Sequence, residues 1–101
     1  MIIYNVTTKI HQRIHDAWLM WLKEEHIPGM LETGCFTNAL IVRLLQVDDT
    51  EGPTYAVQYH AESITRYSDF MKKHSKALSQ QSLEKWSDQV ISFPSVMEVI
   101  N

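Results

Sequence analysis

The sequence is poor in the residues from which disulfide frameworks, nucleotide sites and zinc centres are built. Its 101 residues include three glycines, three prolines and one cysteine. The single thiol, Cys35, cannot form an internal disulfide, which is typical of a reducing compartment. There is no glycine-rich phosphate loop, nucleotide fingerprint, nucleophile elbow or Cys/His zinc pattern. His11 and His15 have a spacing that metal sites use. Two histidines at a helix start without a nearby Cys or carboxylate of matching spacing are, however, more typical of surface residues. We therefore expect no cofactor and no metal.

An excess of basic charge and long apolar runs are missing as well. Nine basic and twelve acidic residues give a net charge of -3, and without a basic run we expect no nucleic-acid partner. No run approaches the roughly 20 apolar residues of a membrane span. The first six residues lack the basic start and apolar segment of a signal peptide. The expectation is a cytoplasmic protein without membrane contact, folded as one domain over residues 1–101.

Residues 14–34 carry the strongest helical pattern. At about 100° per residue, one arc of the helical wheel holds Trp18, Trp21, Leu22 and Glu25. The helix is predicted to end near His26, because the residue before Pro28 is biased away from helical conformations. One further turn would then end at Gly34 in the C-terminal cap position.

The rest of the chain alternates between strand and helix patterns. Strands are predicted at 2–9, 35–47, 54–61 and 90–100, and a second helix runs from an N-cap at Ser63 to Trp86 with a break near Ser75. The apolar run in 35–47 favours a strand covered on both faces. Pro94 favours an edge strand or a bulge. The order β-α-β-β-α-β predicts an α+β, ferredoxin-like fold, with a four-stranded antiparallel sheet and the helices on one face.

Such a sheet would leave a second face uncovered. Because two of the strands are apolar on both faces, we expect a second copy to pack sheet to sheet in a two-fold homodimer. Four polar residues interrupt the alternation of the strands: Asn5, Arg43, Gln58 and Glu98. If their faces coincide, they would form a cluster in the dimer interface with an Arg43–Glu98 ion pair, which would fix register or bind a polar ligand.

Short motifs along nearly the whole chain are shared with a known family. They are Y-N-V at 4–6, W-x-x-W at 18–21, H-I-P at 26–28, T-G at 33–34, R-L-L at 43–45, T-Y-A-V-Q-Y at 54–59 and M-E at 97–98. In these motifs the chain resembles an uncharacterised bacterial family, domain of unknown function 4286. That family looks like a member of the dimeric α/β barrel superfamily, which includes small monooxygenases, haem-degrading enzymes and stress-related proteins. The resemblance implies the same sheet-to-sheet dimer and a pocket between sheet and helices.

A candidate site follows at the junction of the first helix and the sheet. The predicted ligand-binding residues are Trp18, Trp21, Tyr55, Tyr59, Asn5 and Arg43. The two indoles either line an aromatic pocket or simply pack in the core. His26 is the candidate catalytic residue, as a proton-transfer group. Alternatively, it is a cation favoured by the dipole at a helix end. Glu25 is either buried in the same stripe or exposed by fraying.

Three functions are compatible with this pattern. The first is a homodimer that binds a small apolar or aromatic molecule between helix 1 and the sheet. The second is a cofactor-independent monooxygenase or isomerase of the antibiotic-biosynthesis-monooxygenase type, in which His26 moves a proton. The third is a non-catalytic structural or sensing dimer. A cavity lined by His26 would favour the enzyme, and tight packing of Trp18 and Trp21 without a void would favour the non-catalytic dimer.

Overall fold

Four antiparallel strands form one sheet in the computed structural model, which describes residues 1–101. The strands are β1 (Ile2–Ile10), β2 (Asn38–Arg43), β3 (Thr54–Ala61) and β4 (Val90–Glu98), in the spatial order β2-β3-β1-β4. The helices are α1 (His15–Trp21), α2 (Ile27–Glu32), α3 (Ile64–Lys73) and α4 (Ser75–Trp86). The predicted ferredoxin-like β-α-β-β-α-β fold is confirmed. None of the helices has the length and apolar character that crossing a bilayer requires.

The strand register divides the sheet into two chemically different faces. Val6 of β1 lies opposite Val57 of β3 and Pro94 of β4, and these residues face the helices. Residues one position away face outward, because side chains alternate along a strand. The most deeply buried large side chains are Tyr59, Phe70 and Ile10. The core therefore lies between the helices and one face, and the other face has no helix against it.

The first helical segment does not end at His26, so that prediction is wrong. It continues from α1 through a π-helical turn at Leu22–His26 directly into α2. Ile27 has helical dihedrals, and its N–H bonds back to the carbonyl of Leu22. Because Pro28 lies in the first turn after this wider turn, its missing N–H does not break the helix. The segment ends as predicted at Gly34, which has φ +76°.

The strand predicted at 35–47 is shorter and less covered than expected. Only Asn38–Arg43 pairs as β2, which is an edge strand. Leu40 and Val42 are 50% and 37% exposed, so the prediction of burial on both faces is wrong for the single chain. β4 is the other edge strand, and its register with β1 is uninterrupted through Pro94. Of the two alternatives for Pro94, the edge strand is therefore correct and the bulge is not.

The second helical region is divided as the sequence indicated. Ser63 caps α3, its hydroxyl accepting a hydrogen bond from the Arg66 N–H at 3.3 Å. His74 separates α3 from α4. Phe70 is buried on the inner side of α3, whereas Met71 is 43% exposed. This places the aromatic ring of Phe70 against the helix-facing side of the sheet.

Candidate functional site

A cavity of about 320 Å³ lies between the helices and the helix-facing side of the sheet. Its inner wall is apolar and aromatic and is formed by Tyr4, Val6, Trp18, Trp21, Leu22, Met30, Val57, Tyr59 and Phe70. Small-molecule sites usually have volumes of about 300–1,000 Å³ and walls of this kind. The two indoles are therefore both core residues and pocket residues.

Tyr4 belongs both to the cavity wall and to an aromatic cluster. Its ring lies 5.7 Å from that of Phe70, 6.2 Å from Tyr59 and 5.6 Å from Tyr67 between centroids. Burial raises the pKa of both Tyr4 and Tyr59 above the usual value, because an apolar environment disfavours the phenolate. Both phenols are therefore neutral at physiological pH.

His26 is the titratable imidazole of the cavity wall. Its ring stacks on Trp21 with centroids 4.7 Å apart, and its Nδ1 is buried without a hydrogen-bond partner. Burial lowers the pKa of His26 from 6.5 to about 4, since desolvation disfavours the charged form. The alternative in which His26 is a cation at a helix end is therefore wrong: the helix continues past it and the imidazole is neutral.

The π-helical turn explains why His26, and not Glu25, faces inward. The inward positions of this segment recur every four residues, at Trp18, Leu22, His26 and Met30. In a regular α-helix, positions four apart drift by about 40° per step. The wider turn at Leu22–His26 removes part of that drift. Glu25 is exposed, so of its two predicted placements the solvent one is correct.

The outer part of the cavity wall is a row of hydroxyl groups, which we call the hydroxyl rim. It consists of Thr8, Ser75, Ser79, Ser82, Ser87 and Ser92, contributed by β1, α4, the turn after α4 and β4. The Ser92 and Thr8 hydroxyls are hydrogen-bonded at 3.0 Å. None of these residues was predicted as a site residue. The spacing of the three α4 serines, at i, i+4 and i+7, was the signal that could have identified one face of a helix.

Four of the predicted site residues meet in this cavity, namely Trp18, Trp21, His26 and Tyr59. Tyr55 does not line it. Its ring packs on Trp18 at 5.8 Å between centroids, and its hydroxyl is 2.7 Å from Nε2 of His15. Tyr55 therefore supports Trp18 from behind. His11 instead accepts a hydrogen bond from the Arg13 N–H at the start of the helical segment, so the two histidines are not joined in one site.

Asn5 and Arg43 also lie outside the cavity, and they lie on different faces of the sheet. Asn5 and Gln58 are opposite each other on the outer face. Arg43 lies opposite Tyr55 and Glu98 opposite Ile2, which places both on the helix-facing side and at opposite edges. The four-residue cluster with an Arg43–Glu98 ion pair is therefore wrong. Arg43 instead lies 3.7 Å from Asp49, with both side chains largely exposed.

Comparison with protein-family models matches residues 1–100 to a domain of unknown function, DUF4286. The chain belongs to this family. Among curated proteins, a search finds no match to this DUF4286 chain. Among solved structures, it is similar to an ethyl tert-butyl ether D (EthD) family protein from Bacillus halodurans C-125, with a TM-score of 0.65 and 9% identity. The match covers 99% of this chain and 100% of the other. At that identity the likeness shows the fold alone.

No group of three or more His, Cys, Asp or Glu side chains lies close enough together to hold a metal ion. Cys35 is buried and free, and its thiol lies 3.8 Å from the carbonyl oxygen of Thr33. The groups that the candidate site itself offers are an aromatic wall, one imidazole and the hydroxyl rim.

Proposed function

We propose that this DUF4286 protein binds a small, largely apolar or aromatic molecule in the cavity between its helices and its sheet. The observation that carries the proposal is an open aromatic cavity with one imidazole, that of His26, in its wall. The Nδ1 atom of this ring is enclosed and has no hydrogen-bond partner within the chain, so the ring nitrogen that can meet a ligand is the other one, Nε2.

The cavity volume limits the size of the ligand. An engineered protein cavity of about 150 Å³ binds one benzene ring. The space of about 320 Å³ in this chain is roughly twice as large, which suits a compact molecule with one or two rings. The walls supplied by Trp18, Trp21 and Tyr59 favour a flat molecule, because aromatic rings stack on one another with offset or edge contacts.

His26 is proposed to orient the ligand by a hydrogen bond. A neutral imidazole offers one donor and one acceptor, so a ligand hydroxyl or carbonyl can be recognised in either tautomer. The low pKa of His26, about 4, makes it a poor general base at neutral pH, where the best bases have a pKa near the working pH. Ligand positioning is therefore better supported than proton transfer, and the binding function is preferred over a monooxygenase or isomerase.

Isothermal titration with naphthalene and naphthol tests the proposal. We expect saturable binding at one site per chain with a Kd on the order of 0.1 mM. Naphthol should bind about five- to tenfold more tightly than naphthalene, because its hydroxyl can bond to the imidazole. In the variant His26→Leu the two ligands should bind equally, whereas His11→Leu, an exposed-histidine control, should retain the difference. Absence of saturable binding by either ligand would contradict the proposal.

The catalytic alternative is tested with the same protein. Oxygen uptake and product formation are measured with a dihydroxynaphthalene in the presence of wild-type protein or His26→Leu. The binding function predicts no turnover above the spontaneous rate. Turnover that is lost in the His26→Leu variant would favour the monooxygenase instead.

We further propose that the protein is a homodimer through the outer face of the sheet. That face presents Leu40, Ile91 and Phe93, which are 50%, 54% and 64% exposed. Between these apolar edges, Asn5 is buried and donates hydrogen bonds to the hydroxyls of Thr7 and Ser95 at 3.0 and 3.3 Å. Apolar patches of this kind mark interaction surfaces. In a two-fold dimer the same face of the second chain covers this one.

Light scattering at micromolar concentration should give twice the chain mass of 11.8 kDa.

A further inference from the structure

The polar groups of the cavity wall are all neutral at physiological pH. They are the hydroxyls of the rim, the indole N–H groups of Trp18 and Trp21, the phenols of Tyr4 and Tyr59, whose ionisation is disfavoured by burial, and the imidazole of His26. The wall contains no carboxylate, ammonium or guanidinium group. A charged group held against this wall would therefore lose part of its hydration without gaining an opposite charge, and such a transfer is unfavourable.

The exposure of the wall residues also increases from one end of the cavity to the other. At the inner end Trp18, Leu22 and Phe70 are only 3%, 2% and 2% exposed. At the other end, between α4 and β4, Leu83 is 59% exposed and Ser79 and Ser92 are also exposed. The serines of the hydroxyl rim thus lie toward the mouth of the cavity, Thr8 lies deeper with 4% of its surface exposed, and the aromatic wall lies at the closed end.

The rim hydroxyls are available to a ligand. Ser92 is the rim serine whose hydroxyl is hydrogen-bonded within the chain, to Thr8. Ser75, Ser79 and Ser82 project from one face of α4 into the cavity wall, and a serine hydroxyl both donates and accepts. Three such groups from one helix, with a fourth from the turn that follows, suit a neutral oxygen-bearing group, since each hydroxyl can rotate to match a hydroxyl or a carbonyl.

We infer that the ligand of this cavity is an uncharged amphiphile. Its apolar, ring-containing body lies against the indoles and His26, and a separate hydroxyl, carbonyl or amide group, distinct from any group that bonds to the imidazole, lies at the mouth among the α4 serines. This inference rests on the proposed ligand-binding function and specifies the chemical class of the ligand. It excludes carboxylic acids and amines of the same shape.

The test compares three ligands with the same ring system: naphthalene, naphthamide and naphthoate. Naphthamide and naphthoate have the same shape and differ in charge at neutral pH. We expect wild-type protein to bind naphthamide at least roughly 30-fold more tightly than naphthoate. Equal binding of the two would overturn the inference while leaving the proposed binding function intact. Failure of both naphthalene and naphthamide to bind would overturn the proposed function itself.

Two variants test the orientation of the ligand. Ser79→Ala combined with Ser82→Ala should weaken naphthamide binding about three- to tenfold and leave naphthalene unchanged. The control Ser68→Ala, on α3 and outside the cavity wall, should change neither. Ser79→Lys, at an exposed position of the rim, should improve naphthoate binding by about tenfold or more. If the double alanine variant binds naphthamide as wild type does, or if Ser79→Lys does not improve naphthoate binding, the placement of the polar end at the rim is wrong.

Discussion

The rings of Trp21 and His26 are stacked, with centroids 4.7 Å apart and planes inclined by 25°. The two residues are separated by the π-helical turn, which brings the imidazole onto the inner side of the helical segment. The indole covers one face of the imidazole and thereby keeps water from it. The physical result is a histidine that remains neutral well below its usual pKa.

The first prediction concerns the pH dependence of stability. His26 has a pKa of about 4 in the folded chain and 6.5 as a reference for the unfolded chain. Between these values the unfolded chain binds a proton that the folded chain does not, so the free energy of unfolding falls as pH decreases from about 6.5 to about 4. The loss should amount to about 3 kcal/mol, measured by urea unfolding at a series of pH values.

Two histidine variants isolate this effect. His26→Leu should remove most of the loss of stability in that pH window, whereas His11→Leu should leave it unchanged. Parallel pH profiles for wild type and His26→Leu would show that the buried imidazole is not responsible.

The second prediction concerns the outer face of the sheet. Phe93→Glu places a carboxylate in the proposed dimer interface and should raise the dimer dissociation constant by roughly 100-fold or more. Met20→Glu is a matched control, because Met20 is 61% and Phe93 64% exposed in the single chain. Met20 lies on α1, away from the outer face of the sheet. Sedimentation equilibrium of both variants gives the constants. A Phe93→Glu variant that dimerises like Met20→Glu would place the interface elsewhere.

The third prediction concerns Arg43. Its guanidinium group is half exposed and lies 3.7 Å from the exposed carboxylate of Asp49, on the helix-facing side of the sheet. Exposed ion pairs contribute at most about 1 kcal/mol. Arg43→Ala should therefore lower the free energy of unfolding by less than about 1 kcal/mol and leave the dimer constant unchanged. A large increase of the dimer constant in this variant would restore Arg43 to the interface.

The fourth prediction compares two glycines with positive φ. A Cβ at Gly52 would lie 1.9 Å from the carbonyl oxygen of Ile10, whereas a Cβ at Gly34 would meet nothing within 4 Å. Gly34→Ala should lower the free energy of unfolding by about 1 kcal/mol, because an alanine at this position must adopt a left-handed backbone conformation. Gly52→Ala should cost about 3 kcal/mol or more, because the backbone at the end of β1 must also move. Chemical denaturation of the two variants makes the comparison, and equal costs would contradict it.

The strands with clear local signals could be predicted from the sequence. The strand at 54–61 has the predicted bounds, because its alternation is complete and Pro53 precedes it. The strand at 35–47 was overestimated because apolarity alone cannot show where pairing stops. Gln46 adopts φ 60°, and the chain leaves the sheet after Arg43. Leu45, although apolar, is 77% exposed.

The aromatic half of the site was predictable and the hydroxyl half was not. Trp18 and Trp21 stand out because indoles at helical spacing require a partner surface. The inward position of His26 depends on a π-helical turn, which no local pattern predicted. The rim depends on the position of α4 across the cavity from β4, and serines are too common in exposed helices to indicate a cavity. Only the pairing register of the strands shows that Asn5 and Arg43 lie on different faces of the sheet.

The central claim is that the cavity between helices and sheet holds an uncharged aromatic molecule. Its most direct test is a crystal structure of the protein soaked with bromonaphthalene, with the bromine located by its anomalous signal. We predict a bromine peak inside the cavity, within the walls formed by Trp18, Trp21 and His26. A structure in which the cavity holds no bromine at saturating ligand, or in which bromine lies only on the outer face of the sheet, would contradict the account.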